Sequence, residues 1–249
     1  MRVWGVDMLT FSKLGRYGRV GNAMFQIAST IGIAERLGYE YGFPYWMNHD
    51  QLERFGGGED IDIQKWFKHP LPLVKEGDYK PFNVKWGYHH ISPPDWSDLH
   101  GHMQSERYFK HCHHKIRHYF EFKKESKPRD AIAVHFRGGD YGGGYHPHCT
   151  AEYYAKALAM CPNLDVLIFS DSPDIARQVI GRGTVIEGNH SMEDMELMSS
   201  CSHHVIANST FSWWSSWLSG GDVIAPAKWF GHEARISGND LYCKGWRVI

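Results

Sequence analysis

Arg137 lies in the stretch His135-Phe136-Arg137-Gly138-Gly139-Asp140-Tyr141, directly after the apolar run Ala131-Ile132-Ala133-Val134. A guanidinium is a planar fork of N–H donors and can grip a phosphate or diphosphate through two hydrogen bonds at once. Two more polar loops follow apolar runs: Ser170-Asp171-Ser172 after residues 166–169, and Asn208-Ser209-Thr210-Phe211-Ser212 after Val205-Ile206-Ala207. Ligands of parallel sheets bind at the carboxyl ends of the strands, near a topological switch, so these three loops are expected to converge on one cleft. The third runs into Trp213, Trp214 and Trp217. A strand, then hydroxyls, then a helix start aims backbone N–H groups at an anion. Ser209 or Thr210 can cap that helix, and Trp213 and Trp217, four apart, share one of its faces. The same stretch also reads as a capped amphipathic helix whose tryptophans fill a core.

These loops need strands and helices to hold them. Strand and helix patterns alternate along the chain, which predicts an α/β fold. A glycine-rich turn at 15–21 precedes a helix over 22–37 ended by Gly38, then a strand over 39–45. Residues 50–100, rich in Pro, Gly, Asp and Trp, predict irregular loops. One helix is expected over 105–120, with Tyr108, Phe109, Cys112, Ile116, Tyr119 and Phe120 as its apolar stripe. The charged stretch 123–130, with Pro128, reads as a linker. Beyond it come strands at 131–134, 166–169, 184–187, 205–207 and 223–225, with helices at 151–160 and 174–180. A further helix opens at Ser191, where Asp194 three residues on approaches a capping box. This spacing predicts a parallel, doubly wound sheet.

Composition excludes several classes. The 249 residues carry a formal net charge of −1, which does not suit a nucleic-acid binder. A basic stretch spans 107–129; it reads as a face toward an anionic membrane (peripheral contact) or an anionic substrate, or as the solvated side of a helix and linker. The five cysteines are odd in number and lack paired spacing, so no disulfide framework is expected and a reducing, cytoplasmic setting fits. No signal peptide or transmembrane run is seen. Of the seventeen histidines, the cluster His111-Cys112-His113-His114 is too crowded on one helix for a metal site, and no metal is expected.

The chain resembles the α-1,2-fucosyltransferases of glycosyltransferase family eleven. Gly18-Arg19-Val20-Gly21-Asn22-Ala23-Met24-Phe25-Gln26 is similar to the family's G-x-L-G-N-Q-M-F-Q, and residues 101–109 to G-Y-x-Q-S-E-K-Y-F. Residues 134–141 are similar to V-H-x-R-R-G-D-Y, 187–199 to an acidic helix segment, and 207–218 to A-N-S-S-F-S-W-W-x-A-W-L. Val223-Ile224-Ala225-Pro226 with Trp229-Phe230 resembles the segment that follows. The resemblance implies two Rossmann-like domains facing a cleft (the GT-B type), expected at residues 1–125 on the acceptor side and 126–249 on the nucleotide-sugar side. It implies inverting transfer of L-fucose from GDP-β-L-fucose to a 2-hydroxyl of a galactose-like glycan, with no cofactor and no essential metal.

The resemblance places Arg137 on the diphosphate, His135 and Asp171 on the guanosine, and Asn208, Ser209, Thr210, Phe211 and Ser212 around the diphosphate and fucose. Gly21, Asn22 and Gln26 belong to the acceptor side. Inversion needs a base; Asp140 is the carboxylate nearest Arg137 in sequence, and His146 is the alternative, in a glycine-rich loop expected to close over the substrate. Blander readings exist: Arg137 as a surface arginine in an ordinary salt bridge, His135 as a core histidine, Asp171 as a helix cap, Asp140 as a group that only orients its loop, His146 as an exposed loop residue, Asn22 and Gln26 as capping or surface groups. The chain departs from the family at Gly138, where the family has a second arginine, and at Ala23, where it has glutamine. A different nucleotide sugar or linkage is therefore a second reading. A third is a non-catalytic carbohydrate- or nucleotide-binding protein that stacks sugars on Trp46, Trp66, Trp86 and Trp96.

Overall fold

The computed structural model describes residues 7–45, 63–139 and 141–249. Asp140 and Trp46 lie outside the described residues. The chain divides into two compact units, Met1–Lys123 and Lys124–Ile249.

The first unit holds strands β1 (Met8–Thr10), β2 (Glu40–Gly42), β3 (Lys80–Asn83) and β4 (Ser97–His100) in the order β2-β1-β4-β3. Every pairing is parallel. Helix α1 spans Val20–Leu37 and stops at Gly38, which takes the left-handed conformation at φ 73°. Its apolar side, including Met24, Phe25, Ile27, Ala28 and Ile31, is fully buried. Helix α2 is a single turn, Ile63–Trp66. β3 and β4 fall within the stretch expected to be irregular. They are too short and too polar at the surface to show alternation, yet β4 is inner and buried along its length.

The single helix expected over 105–120 is corrected to two 3-10 turns, Glu106–Tyr108 and Lys110–Cys112, followed by helix α3, His113–Tyr119. Phe109 breaks it, with φ −127° and ψ 4°. The apolar stripe nonetheless packs inward as its types require: Tyr108, Phe109, Cys112, Ile116 and Phe120 are buried. Burial follows residue type, whereas helix type depends on local hydrogen bonds that the stripe does not encode.

The second unit is a six-stranded parallel sheet: β5 (Arg129–Phe136), β6 (Asp165–Ser170), β7 (Thr184–Val185), β8 (Cys201–Val205), β9 (Asp222–Ala225) and β10 (Arg247–Val248), in the order β10-β9-β8-β5-β6-β7. Its helices are α4 (Ala151–Ala159), α5 (Pro173–Ile180), α6 (Ser191–Ser199) and α7 (Thr210–Ser219). Successive residues of a strand point to opposite faces. Ile132, Val134 and Phe136 of β5 accordingly join Tyr154, Ala157 and Ala176 of α4 and α5 in one core. Ala131 and Ala133 join Met198 of α6 in the other. The sheet is wound on both faces, as the alternating pattern predicts.

Two boundaries in this unit move. β8 begins at Cys201, ahead of the expected 205–207, because polar His203 and His204 are part of the ladder beside β5. The capping box of α6 lies one residue earlier than the Ser191–Asp194 pair: the His190 side chain accepts from Met192 N–H, and the Glu193 carboxylate accepts from His190 N–H. No disulfide joins the five cysteines. Among the described residues no helix is long and apolar enough to cross a membrane.

Candidate functional site

The strand order of the second unit reverses between β5 and β8: β6 and β7 lie on one side, β9 and β10 on the other. That reversal opens a crevice at the carboxyl ends of β5 and β8. The loops after Phe136 and after Val205 are the ones carrying the predicted anion-binding residues.

His135 is on the β5 face that carries Ala131 and Ala133, pointing toward α7. It is 5% exposed, its Nδ1 is 3.0 Å from Ser212 Oγ, and its ring lies 5.5 Å from that of Phe211. Burial holds its pKa well below the ordinary histidine range; nearby Asp171 opposes the shift and Arg137 adds to it. The imidazole is thus neutral at pH 7 and can present one donor and one acceptor. It is a buried histidine, as the core reading has it, but one held between the Arg137 loop and the start of α7.

Arg137 Nη1 pairs with Asp171 Oδ2, and the guanidinium carbon lies 5.4 Å from the centroid of the Tyr141 ring. The arginine side chain is 13% exposed, so the pair is partly withdrawn from solvent and screened less than a surface one. Asp171 Oδ1 also accepts from Gly138 N–H at 2.8 Å. Asp171 is therefore not the cap of α5: the N-cap is Ser172, and it makes no side-chain capping bond. Ser172 Oγ instead accepts from Gly139 N–H at 3.1 Å.

Gly138 is constrained by this contact. A Cβ on it would stand 2.3 Å from Ser172 Oγ and 2.5 Å from Ser172 Cβ. The arginine that the resemblance expects here has no room beside Ser172.

Helix α7 starts as predicted. Ser209 is its N-cap and accepts from Phe211 N–H, so of the two candidates Ser209 and not Thr210 does the capping. Thr210 and Phe211 are half-buried at the opening turn, and Ser212 is buried. The macrodipole puts partial positive charge there. Trp213 and Trp217 share a face, their rings near parallel at 10°, and Trp213 and Trp214 are fully buried. The tryptophans fill the core, as the capped-helix reading has it, while the first turn carries the polar groups.

Asn208 is 1% exposed, and its amide donates to Pro147 O at 3.0 Å and Trp229 O at 2.9 Å. Its side chain ties loops together. Its backbone carbonyl accepts from Tyr141 O–H at 3.1 Å, joining the β5 and β8 loops. Tyr141, absent from the predicted site residues, lies within the motif that predicted Arg137. His146 is half-buried, not exposed: it stacks on Tyr141 at 4.8 Å and packs near Phe230 at 5.8 Å. The loop expected to be a flexible closing segment is pinned by Gly142 N–H to His146 O, Gly231 N–H to Tyr145 O and Glu233 N–H to Gly144 O.

In the first unit the strand order reverses between β1 and β4, bringing the 15–21 turn near the loop after β4. Gln104 donates to Asn22 Oδ1 at 2.8 Å, and Asn22 donates to Tyr17 O at 3.0 Å. Gly18 has φ +102°, and a Cβ there would meet the Asn22 amide at 1.8 Å. Gly21 and Gln26 are buried, so the surface reading of Gln26 does not hold; its Nε2 donates to Tyr17 O at 3.3 Å. Trp66, Trp86 and Trp96 are half-buried rather than open stacking platforms; Trp96 packs on Tyr79 at 5.1 Å and Trp86 on His102 at 5.8 Å.

Residues 16–249 match the family described as Glycosyl transferase family 11. The chain belongs to that family. An α-1,2-colitosyltransferase of Escherichia coli is 33% identical over 162 residues, covering 53% of this chain and 56% of that protein. Galactoside α-(1,2)-fucosyltransferase 1 of Sus scrofa is 23% identical over 245 residues, covering 83% of this chain and 65% of that one. The matched part thus spans only a little over half of the first of these relatives. The solved structure of NodZ α-1,6-fucosyltransferase soaked with GDP-fucose superposes with a TM-score of 0.51 at 13% identity, covering 86% of this chain and 93% of that one. The fold is of the NodZ kind, an α/β fold built on parallel sheets.

Proposed function

We propose that this family 11 chain is an inverting glycosyltransferase that moves L-fucose from GDP-β-L-fucose to the 2-hydroxyl of a galactose-like acceptor. The observation that carries the reading is Arg137 at the carboxyl end of β5, beside the β5/β8 switch, paired with Asp171 and lying near Tyr141, whose hydroxyl donates to the Asn208 backbone carbonyl ahead of α7. The departing GDP carries developing negative charge. A fixed guanidinium and helix-start N–H groups stabilise that charge without reorganising during the reaction. His135, neutral and buried, and Asp171 offer a donor and acceptors to a guanosine. Ser209, Thr210, Phe211 and Ser212 surround the diphosphate and sugar. Asn208 acts by holding these loops rather than by touching the donor. No metal or cofactor is invoked, because Arg137 and α7 supply the positive charge. Asp140 and His146 remain the proposed bases, and Gly21, Asn22 and Gln26 the acceptor-side residues.

A second reading is transfer of another deoxy sugar from a guanosine diphosphate donor, favoured by Gly138. Ser172 occupies the space of the family's second arginine, which alters the charge around the donor. The test is calorimetric titration with GDP, GDP-fucose, GDP-mannose and UDP-galactose on wild type and Arg137→Ala. Binding of GDP and GDP-fucose that Arg137→Ala abolishes supports the assignment. Equal binding by the variant refutes the site. Absence of guanosine-ligand binding in the wild type leaves the non-catalytic reading standing.

A further inference from the structure

Two histidines and a carboxylate meet in the first unit, and neither the sequence motifs nor the proposed reaction uses them. We propose that His69, His118 and Glu121 form a binding site for a divalent transition-metal cation of the zinc class. Among the described residues this is the one group of three or more histidine, cysteine or acidic side chains whose ligand atoms lie close enough together, all within 4.8 Å of one another. Two imidazoles and one carboxylate, with positions left for water, is a donor set that zinc takes readily. On a tetrahedral ion, ligand atoms stand roughly 3.4 Å apart, so closure asks for a shift of about 1 Å by side chains that are partly exposed.

The backbone holds the ligands in place. Phe67 and Phe122 form an antiparallel bridge, flanked by Lys68 N–H to Glu121 O at 2.8 Å and Lys123 N–H to Trp66 O at 2.9 Å. The buried rings of Phe67, Phe120 and Phe122 pack beneath, at 5.2 and 5.0 Å from Phe67. His69 and Glu121 therefore stand on two tied segments, and His118 on the last turn of α3. The side chains already approach one another: His69 Nε2 is 2.9 Å from Glu121 Oε2, and the His69 and His118 rings are stacked at 3.6 Å between centroids. Side-chain exposures of 34% for His69 and 40% for Glu121 leave room for solvent ligands. One ring nitrogen of the exposed His118 already lies within 4.8 Å of the ligand atoms of His69 and Glu121.

One group opposes a cation: Lys68 Nζ lies 2.7 Å from Glu121 Oε1. It takes one carboxylate oxygen and leaves Oε2 to the histidine side. Its presence supplies a discriminating variant, because removing its charge must strengthen a metal site yet has no reason to strengthen a mere ion-pair network.

The test uses tag-free full chain freed of metal by a chelator and titrated with Zn²⁺ by calorimetry and with Co²⁺ by visible absorption. One equivalent is expected to bind in the micromolar range, with a Co²⁺ ligand-field band and a Zn²⁺-dependent rise in melting temperature. His118→Ala and Glu121→Gln are each expected to weaken binding about tenfold or more, since even groups that only orient ligands are worth that much. Lys68→Gln is expected to tighten it several-fold, and His114→Ala, on the same helix outside the cluster, to leave it unchanged. His118→Gln serves if His118→Ala melts early. Absence of a micromolar site, or a site that His118→Ala and Glu121→Gln leave intact, overturns the proposal.

Discussion

Arg137 and Asp171 form an ion pair across the carboxyl ends of the adjacent strands β5 and β6, and the same carboxylate accepts from the backbone N–H of buried Gly138. One side chain thus fixes both the guanidinium and the turn that follows it. Asp171→Ala leaves a buried N–H without its acceptor and lets the guanidinium wander. It is expected to destabilise the fold by about 1–3 kcal/mol, as loss of a hydrogen bond to a charged group does. It should also weaken GDP binding about tenfold. Urea unfolding and calorimetry check the two effects separately, and a variant with wild-type affinity would show that Asp171 does not organise the donor loop.

Gly138 and Ser172 are in tight contact, so a methyl on Gly138 overfills the turn. Gly138→Ala should cost about 1–3 kcal/mol, the usual range for overpacking. Ser172→Gly removes the obstructing atoms, though it also forfeits the bond from Gly139 N–H. A double-mutant cycle is expected to show favourable coupling between the two changes of at least about 0.5 kcal/mol. Simple additivity in denaturant unfolding would mean that the turn relaxes on its own.

Asn208 donates to the carbonyls of Pro147 and Trp229 and is almost wholly buried. Asn208→Ala strands both acceptors and is expected to cost about 2–3 kcal/mol. It should also free the 142–148 loop. Limited proteolysis reads this directly: cleavage in that loop should accelerate in the variant, and an unchanged rate would show that the contacts to residues 231–233 suffice alone.

His204 is buried with Nε2 3.1 Å from Cys201 O, and burial lowers its pKa from 6.5 to about 4. His135 and His102 are lowered too, again through burial. A depressed histidine pKa means that the unfolded chain binds more protons than the folded one. Its stabilising contribution is complete above pH 6.5 and is lost as pH falls from there toward 4. Each such histidine steepens the decline by up to about 1.4 kcal/mol per pH unit. Denaturant unfolding at a series of pH values should show stability falling below pH 6.5, with a shallower slope for His204→Asn. Equal slopes would remove His204 from the account.

The second unit was readable in the sequence where its strands β5, β6 and β9 are mostly buried. They form apolar runs, and each run is followed at once by the polar loop it positions. Arg137, Asp171 and a cap at Ser209 or Thr210 could be placed from that adjacency. What could not be read were relations with no local trace. β3 and β4 carry no strong alternation, and the break at Phe109 lies inside an unbroken apolar stripe. Asn208 reads as a ligand-facing polar group until its partners at Pro147 and Trp229 are known. Ser172 was legible only as one member of a polar loop, since only the approach of its side chain to Gly138 explains the missing arginine. The pairing of His69 with His118 and Glu121 depends on the Phe67–Phe122 bridge, which no spacing rule encodes.

The switch between β5 and β8 has a consequence for the order of events on folding. His135 and Ser212, in contact across it, are 77 residues apart in the chain, and the β5–β8 ladder joins similarly distant segments. Parallel strands of such separation must pass through a costly loop closure before any contact rewards it, which makes their pairing intrinsically slow. The half-site on β5 and β6 can form before β8 arrives, but the half-site on α7 cannot join it until then. Recovery of nucleotide binding during refolding therefore reports the closing of the sheet at its centre, and it should lag behind the recovery of helical signal.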